Sequence, residues 1–193
     1  TVVEVTGKLL GKGETRANSV IDVETIQAQP AGLDPLKLLV RVPGLQVSSS
    51  DALTGSFSMR LGMRGLNKEQ IGISVDGVPN GSTLSNGGTM PPRLLDSANL
   101  VRIDASQTAG DLGTPSDQAL GGYINFQTRD PGKEAGAEIE LTGGSYGYKR
   151  GYARIETGKS AAGTSAYLSL SQSSVNTWPG EESGSNHRRN ASL

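Results

Sequence analysis

Apolar and polar positions change their period once along this chain, close to Pro131. Upstream, short apolar runs alternate with polar, glycine-containing stretches, the pattern of a small mixed α+β unit. Downstream the period becomes two. Ala137, Ile139 and Leu141 alternate with Glu138, Glu140 and Thr142. Gly151, Ala153 and Ile155 alternate with Tyr152, Arg154 and Glu156, and Ala166, Leu168 and Leu170 with Ser165, Tyr167, Ser169 and Ser171. Segments of about ten residues with Gly/Ser turns between them predict three antiparallel strands. One face of any antiparallel sheet alternates this way, so periodicity alone favours a soluble sandwich over a membrane barrel. Tyr146 and Trp178 would suit the interfacial belts of a barrel.

The upstream elements follow from local chemistry. Ser19 to Asp22 predicts a short strand, with Asp22 capping a turn of helix over Val23 to Ala28. Leu33 to Arg41 predicts the best helix of the chain: Asp34 caps it, Pro35 fits its first position, Leu33 staples to Leu38, and Pro43-Gly44 stops it. Leu45 to Val47 restarts as strand, and Met59 to Leu66 predicts an irregular strand. Ile71 to Val75 alternates cleanly into Asp76-Gly77, a tight-turn dipeptide. Pro92 opens a helical turn over Arg93 to Asp96. Leu100 to Ala105 predicts a strand with Val101, Ile103 and Ala105 on one face. Segments 48–58 and 80–92 are long polar loops, which serve function more often than packing.

The junction itself runs from Gly110 to Pro131. Its first part, to Gln118, is rich in turn-formers; its second, Leu120 to Thr128, is a strand entered through the pair Gly121-Gly122. Paired glycines there predict a close backbone approach or a bulge.

Composition narrows the function. The 193 residues carry a net charge of -1, so nothing draws them to nucleic acid or an anionic surface. There is no cysteine and a single histidine, His187, in a polar tail, which excludes thiolate and histidine catalysis and Cys- or multi-His metal sites. The carboxylates Asp76, Asp104 and Asp117 have no partner pattern around them, and the glycines at Gly110 lack the lysine of a phosphate loop. The chain reads as no enzyme and calls for no cofactor. No signal peptide is visible at Thr1, so it reads as a mature protein or an excised piece.

Thr1-Val2-Val3-Glu4-Val5-Thr6-Gly7 is β-prone. It reads either as the first strand of a sheet or as an extended peptide offered to a partner's sheet edge. Lys8 to Asn18 is a linker by composition.

Taken in order, Val5-Thr6-Gly7, Ser19-Val20-Ile21-Asp22, Leu39-Val40-Arg41-Val42-Pro43-Gly44-Leu45-Gln46-Val47, Met63-Arg64-Gly65, Val75-Asp76-Gly77-Val78-Pro79, Leu100-Val101-Arg102-Ile103 and Leu120-Gly121-Gly122-Tyr123-Ile124-Asn125-Phe126 resemble the N-terminal part of a TonB-dependent outer-membrane receptor. Two stretches depart from the family: Val101 to Gln107 replaces its usual Val-Glu-Val-Leu-Arg-Gly-Pro run, and Gly110 to Gln118 replaces its small loop before the glycine pair. The resemblance implies residues 1–18 as TonB box and linker, 19–131 as plug domain, and 132–193 as the first strands of a transmembrane β-barrel, truncated here. It implies that Thr1, Val2, Val3, Glu4, Val5 and Thr6 pair with the periplasmic protein TonB. The chain would then lie in the Gram-negative outer membrane, among its lipids, with its N-terminus periplasmic and its plug gating a barrel of about 22 strands. The ligand would be a scarce extracellular nutrient of siderophore, vitamin or oligosaccharide type. Its contacts would be Phe57, Arg64, Asn80, Gly81 and Arg93. Arg64 reads equally as a structural partner of a buried carboxylate, and Phe57 as packing on the barrel wall. The competing reading is a soluble α+β binding or adhesion module.

Overall fold

The computed structural model describes residues 18–48, 60–80, 95–108, 119–176 and 185–192. The predicted TonB box lies outside them, as do Phe57, Gly81, Arg93, the Gly110–Gln118 stretch and Trp178.

Three sheets are present among the described residues. The largest has the order β1 (Asn18–Ile21), β7 (Leu100–Ser106), β8 (Gly122–Thr128), β5 (Ile71–Val75), β6 (Val78–Pro79). It is mixed: β5 and β8 run parallel and the other neighbours antiparallel. A second sheet holds β2 (Leu45–Ser48), β3 (Arg60–Met63) and β4 (Leu66–Asn67). One apolar cluster joins the two sheets to α1 (Val23–Gln27). It includes Ile26, Leu36, Leu39, Met63, Ile103, Ile124 and Phe126.

Asp22 caps α1 as expected, its carboxylate accepting from Thr25 N at 2.8 Å. The segment at Pro35–Arg41 differs from expectation: it is a 3-10 helix. Asp34 caps it and Pro35 starts it, and Leu36, Leu38 and Leu39 all reach the core from its seven residues. The predicted irregular strand is a hairpin, because Arg64 and Gly65 both hold positive φ between β3 and β4. The helical turn expected over Arg93 to Asp96 lies partly outside the described residues; Asp96 itself is extended and caps a 3-10 turn at Ser97–Asn99. In β7 a bulge between Leu100 and Arg102 shifts the alternation, so Leu100 is buried with Ile103 and Ala105 while Val101 is only half-buried.

The glycine pair is the close approach it promised. Gly122 has φ +141, and a side chain there would overlap Met63 Sδ and the Ser106 carbonyl oxygen. Gly121 N donates to Gln70 O at 2.8 Å. Thr128 then closes the unit by donating from its backbone N and its hydroxyl to the Asp76 carboxylate, both at 2.7 Å.

Past the junction lie β9 (Ala135–Gly143), β10 (Lys149–Thr157), β11 (Tyr167–Asn176) and β12 (Ser185–Ser192), paired antiparallel in the order β12-β11-β10-β9. Three of these strands were expected. The fourth is the stretch read as a polar tail: His187 pairs with Ser174 inside it. No helix among the described residues is long and apolar enough to cross a membrane.

Candidate functional site

Of the five residues expected to touch ligand, Arg64 and Asn80 are described, and the fold sets them on different elements. Arg64 stands in the β3–β4 turn. Its backbone N donates to Gly44 O at 2.9 Å and its Nη1 to Gln107 O at 2.8 Å, while Gln107 Nε2 donates back to Pro43 O. The guanidinium therefore helps tie three chain turns together, and the acceptor of that bond is a carbonyl and not the carboxylate considered above. Asn80 follows β6, at the edge of the main sheet, with its backbone N donating to Ile73 O at 2.8 Å. The 49–59 segment, which contains Phe57, joins the Ser48–Arg60 end of the β2–β3 pair, whereas Arg64 lies beyond its Leu45–Met63 end.

A denser constellation, not expected from the sequence, links the main sheet to the four-stranded one. Strand alternation puts Arg150, Tyr152 and Arg154 of β10 on one face, and register places Glu140 and Glu138 of β9 opposite Tyr152 and Arg154. That face meets the turn before β7. Asp96 Oδ1 accepts from Arg150 Nη2 at 2.8 Å, and Asp96 Oδ2 from Ser171 Oγ at 2.5 Å. Asn99 Oδ1 accepts from Tyr152 OH at 2.9 Å and from Arg154 Nη1 at 3.1 Å, and Asn99 Nδ2 donates to Ser169 Oγ at 2.7 Å. Arg154 also donates to the carbonyls of Arg129 and Asp130, and its guanidinium lies 3.8 Å from the centre of the Tyr167 ring. Tyr148 OH reaches Ala31 O at 2.8 Å, and Gly32, at φ +76, leaves room for Arg150 and Tyr148.

These groups are out of water. The Arg150 and Asp96 side chains are 1% and 6% exposed, so protein groups stand in for water around both charges: Arg150 pairs with Asp96 and also with Glu140, at 3.1 Å. At the junction, Arg129 pairs with Glu138 at 2.7 Å in a partly exposed setting. Burial works to lower the Arg129 pKa, but the hydrogen bond and charge of Glu138 outweigh it, with smaller help from Tyr152 and Glu156, and hold it above the ordinary value. A cleft of about 370 Å³ lies beside this pair, between Asp130, Gly136 and Glu156.

The opposite face of the four-stranded sheet is apolar. Ile139, Leu141, Ile155 and Leu170 are 76%, 83%, 60% and 52% exposed. A soluble sheet buries such residues and leaves its charges outside; here the charges are inside and the apolar residues outside. That inversion is the signature of a barrel wall around a polar interior.

Residues 12–122 match the TonB-dependent receptor plug domain, and the chain belongs to that family. Compared by sequence with curated proteins, the chain has no match. Among solved structures it is similar in fold to the ferripyoverdine receptor of the outer membrane of Pseudomonas aeruginosa, bound to ferripyoverdine (21% identity, TM-score 0.64, covering 87% of this chain and 21% of that one). It is similar also to the alcaligin outer-membrane receptor FauA of Bordetella pertussis (23% identity, TM-score 0.62, 86% of this chain and 27% of that one). A third is the ferric yersiniabactin uptake receptor FyuA of Yersinia pestis (20% identity, TM-score 0.55, 82% and 24%). The chain thus spans about a fifth to a quarter of the length of these receptors. The matched residues hold β1 to β7 and the start of β8, and the antiparallel sheet β9 to β12 follows them.

Proposed function

We propose that this chain is part of an outer-membrane transporter that takes up a siderophore-type ligand, its plug gating the barrel and its N-terminal segment drawing energy from TonB. The observation that carries the reading is the inverted polarity of the four-stranded sheet, clasped to a plug domain by Arg150 and Arg154. A soluble binding module has no use for a face that exposes Ile139 and Leu141 on its far side. The siderophore class is supported by the receptors of similar fold.

Within this reading, residues 1–18 are TonB box and tether, 19–131 the plug, and 132–193 barrel. Thr1 to Thr6 contact TonB through main-chain hydrogen bonds, which require β-propensity more than particular side chains. Phe57, Arg64, Asn80, Gly81 and Arg93 contact the ligand. The N-terminus faces the periplasm and the outward apolar face meets lipid.

The test uses the full-length protein in a strain lacking its own copy, grown with single ferric siderophores as the iron source. The intact gene is expected to restore growth on at least one of them. Deleting residues 1–6, or removing TonB, is expected to abolish that growth while leaving ligand binding to cells intact. Growth unchanged by both deletions would refute the proposal.

A further inference from the structure

The face of the four-stranded sheet that turns away from the plug is apolar over most of its area but not at one corner. Register lays the face out in rows across the strands. Ile139, Ala153, Leu170 and Ala191 form one row, and Leu141, Gly151, Gln172 and Arg189 the next. Gly143, Lys149 and Ser174 form the row beyond, at the strand ends. The corner thus holds two exposed cations, Lys149 and Arg189, beside the exposed Gln172 and the half-buried Ser174. The carboxylates of β9 and β10, on Glu138, Glu140 and Glu156, stand on the other face with Arg150 and Arg154. Among the described residues neither Lys149 nor Arg189 enters an ion pair.

Depth gives this corner its meaning. In an outer-membrane wall the apolar band is about 25 Å tall and the strands tilt by about 40°. Lys149 lies four residues from Ala153 in the middle row, about 14 Å along the strand and about 10 Å along the membrane normal. That is close to the edge of the band. Tyr146, 55% exposed in the Ser145–Gly147 turn at the same end, fits the aromatic belt that marks such an edge. Arg189 lies only two residues from the middle row, inside the band, where a guanidinium is tolerated when its long stem carries it to the headgroups. That reach brings it toward Lys149, which is two strands and about 10 Å away. Two cations that converge where water is scarce repel each other, and an anion between them reverses the sign of that interaction. The strand positions of this face supply no anion; a lipid phosphate does.

We propose that Lys149 and Arg189, with Gln172 and Ser174, form a site on the outward face of the wall for the headgroup of a glycolipid that carries two phosphates. The cations stand on different strands and different rows, so each takes its own phosphate, while the amide and the hydroxyl bond the sugar between. This rests on the transporter reading above and adds to it a partner within the membrane itself.

The test titrates the folded full-length receptor, held in a neutral detergent, with lipid A, a disaccharide lipid with two phosphates, and reads bound lipid by native mass spectrometry. Lys149→Met with Arg189→Met, which keeps unbranched stems and removes both charges, is expected to weaken lipid A binding roughly thirtyfold, and each single change about fivefold. A charge-matched control, Lys133→Met with Lys159→Met at the opposite end of the strands, is expected to bind like the parent. Phosphatidylglycerol, with one phosphate, is expected to bind the parent far more weakly than lipid A. In vesicles of phosphatidylcholine alone, parent and Lys149→Met/Arg189→Met receptor are expected to unfold at the same temperature. Equal lipid A binding by both double variants, or phosphatidylglycerol binding as tight as lipid A, overturns the site. So does a lower unfolding temperature in phosphatidylcholine alone, since the cations would then serve a protein partner such as Glu181 or Glu182. Any of these leaves the transporter reading standing; a full-length protein that forms no barrel in vesicles overturns both.

Discussion

At Gly122 the backbone φ of +141 and the overlap a side chain would make with Met63 and Ser106 act in the same direction. Gly122→Ala must strain the backbone and also push apart β8, β7 and β3. The expected loss is about 2–5 kcal/mol of plug stability, seen as protease sensitivity of the plug in a barrel that still inserts. Gly121→Ala is expected to cost less, because its neighbours are the movable Leu66 side chain and one carbonyl. The need for glycine was legible in the sequence, since a Gly-Gly entry to a strand has few other uses. The roles of Asp96 and Asn99 were not. Both are ordinary turn residues, and what makes them special is a strand more than 50 positions away. The available signal was on the other side: Arg150 and Arg154, four residues apart on a strand, must share a face, and a buried face with two guanidiniums demands acceptors.

Elements were legible where the local chemistry was strong and went astray where tertiary packing decided. The Asp22 and Asp34 caps, the Asp76-Gly77 turn and the alternating strands came through because each rests on residues adjacent in sequence. For the segment at Pro35–Arg41 the cap, the proline start and the stop at Pro43-Gly44 were legible, but the 3-10 coil was not, because those signals are shared by both kinds of helix. β12 was missed because its residues are polar on both faces, so alternation, the only local signal of a barrel strand, is absent from it; pairing with β11 supplies the register instead. The contact between β10 and the Asp96 turn gives this scale its prediction. Arg150→Met would take from the buried Asp96 carboxylate the guanidinium that Oδ1 accepts from at 2.8 Å. It is expected to loosen the plug from the wall by about 3–5 kcal/mol, measured as a lower urea midpoint for plug proteolysis in the inserted receptor. Adding Asp96→Asn, which removes the buried charge and keeps an acceptor for the Ala98 N–H, is expected to recover a large part of that loss. Purely additive losses would mean that the pair does not act as a unit.

For the whole molecule, polarity decides what the chain is. Apolar positions that alternate along a strand do not say which side is covered. From the period alone a soluble sandwich fits, and only the placement of Arg150, Arg154 and Ser169 against the plug shows that the polar face is the inner one. A lysine at Ile139 tests this directly, since Ile139 stands at the middle of β9, opposite Ala153 and away from the plug. In a membrane barrel that position lies near the bilayer centre, where a lysine costs about 2–4 kcal/mol. Ile139→Lys is therefore expected to cut the fraction of full-length protein that folds into lipid vesicles, and to do so more strongly in thick than in thin bilayers. Lysine at Gly143, on the same face at the strand end, is expected to be tolerated, because a long side chain there reaches the headgroups. If the sheet faced water, Ile139→Lys would instead be neutral or improve solubility, and bilayer thickness would make no difference. The dependence on depth is what a soluble module cannot imitate: only a wall that spans a bilayer ranks its outward positions by their distance from the middle.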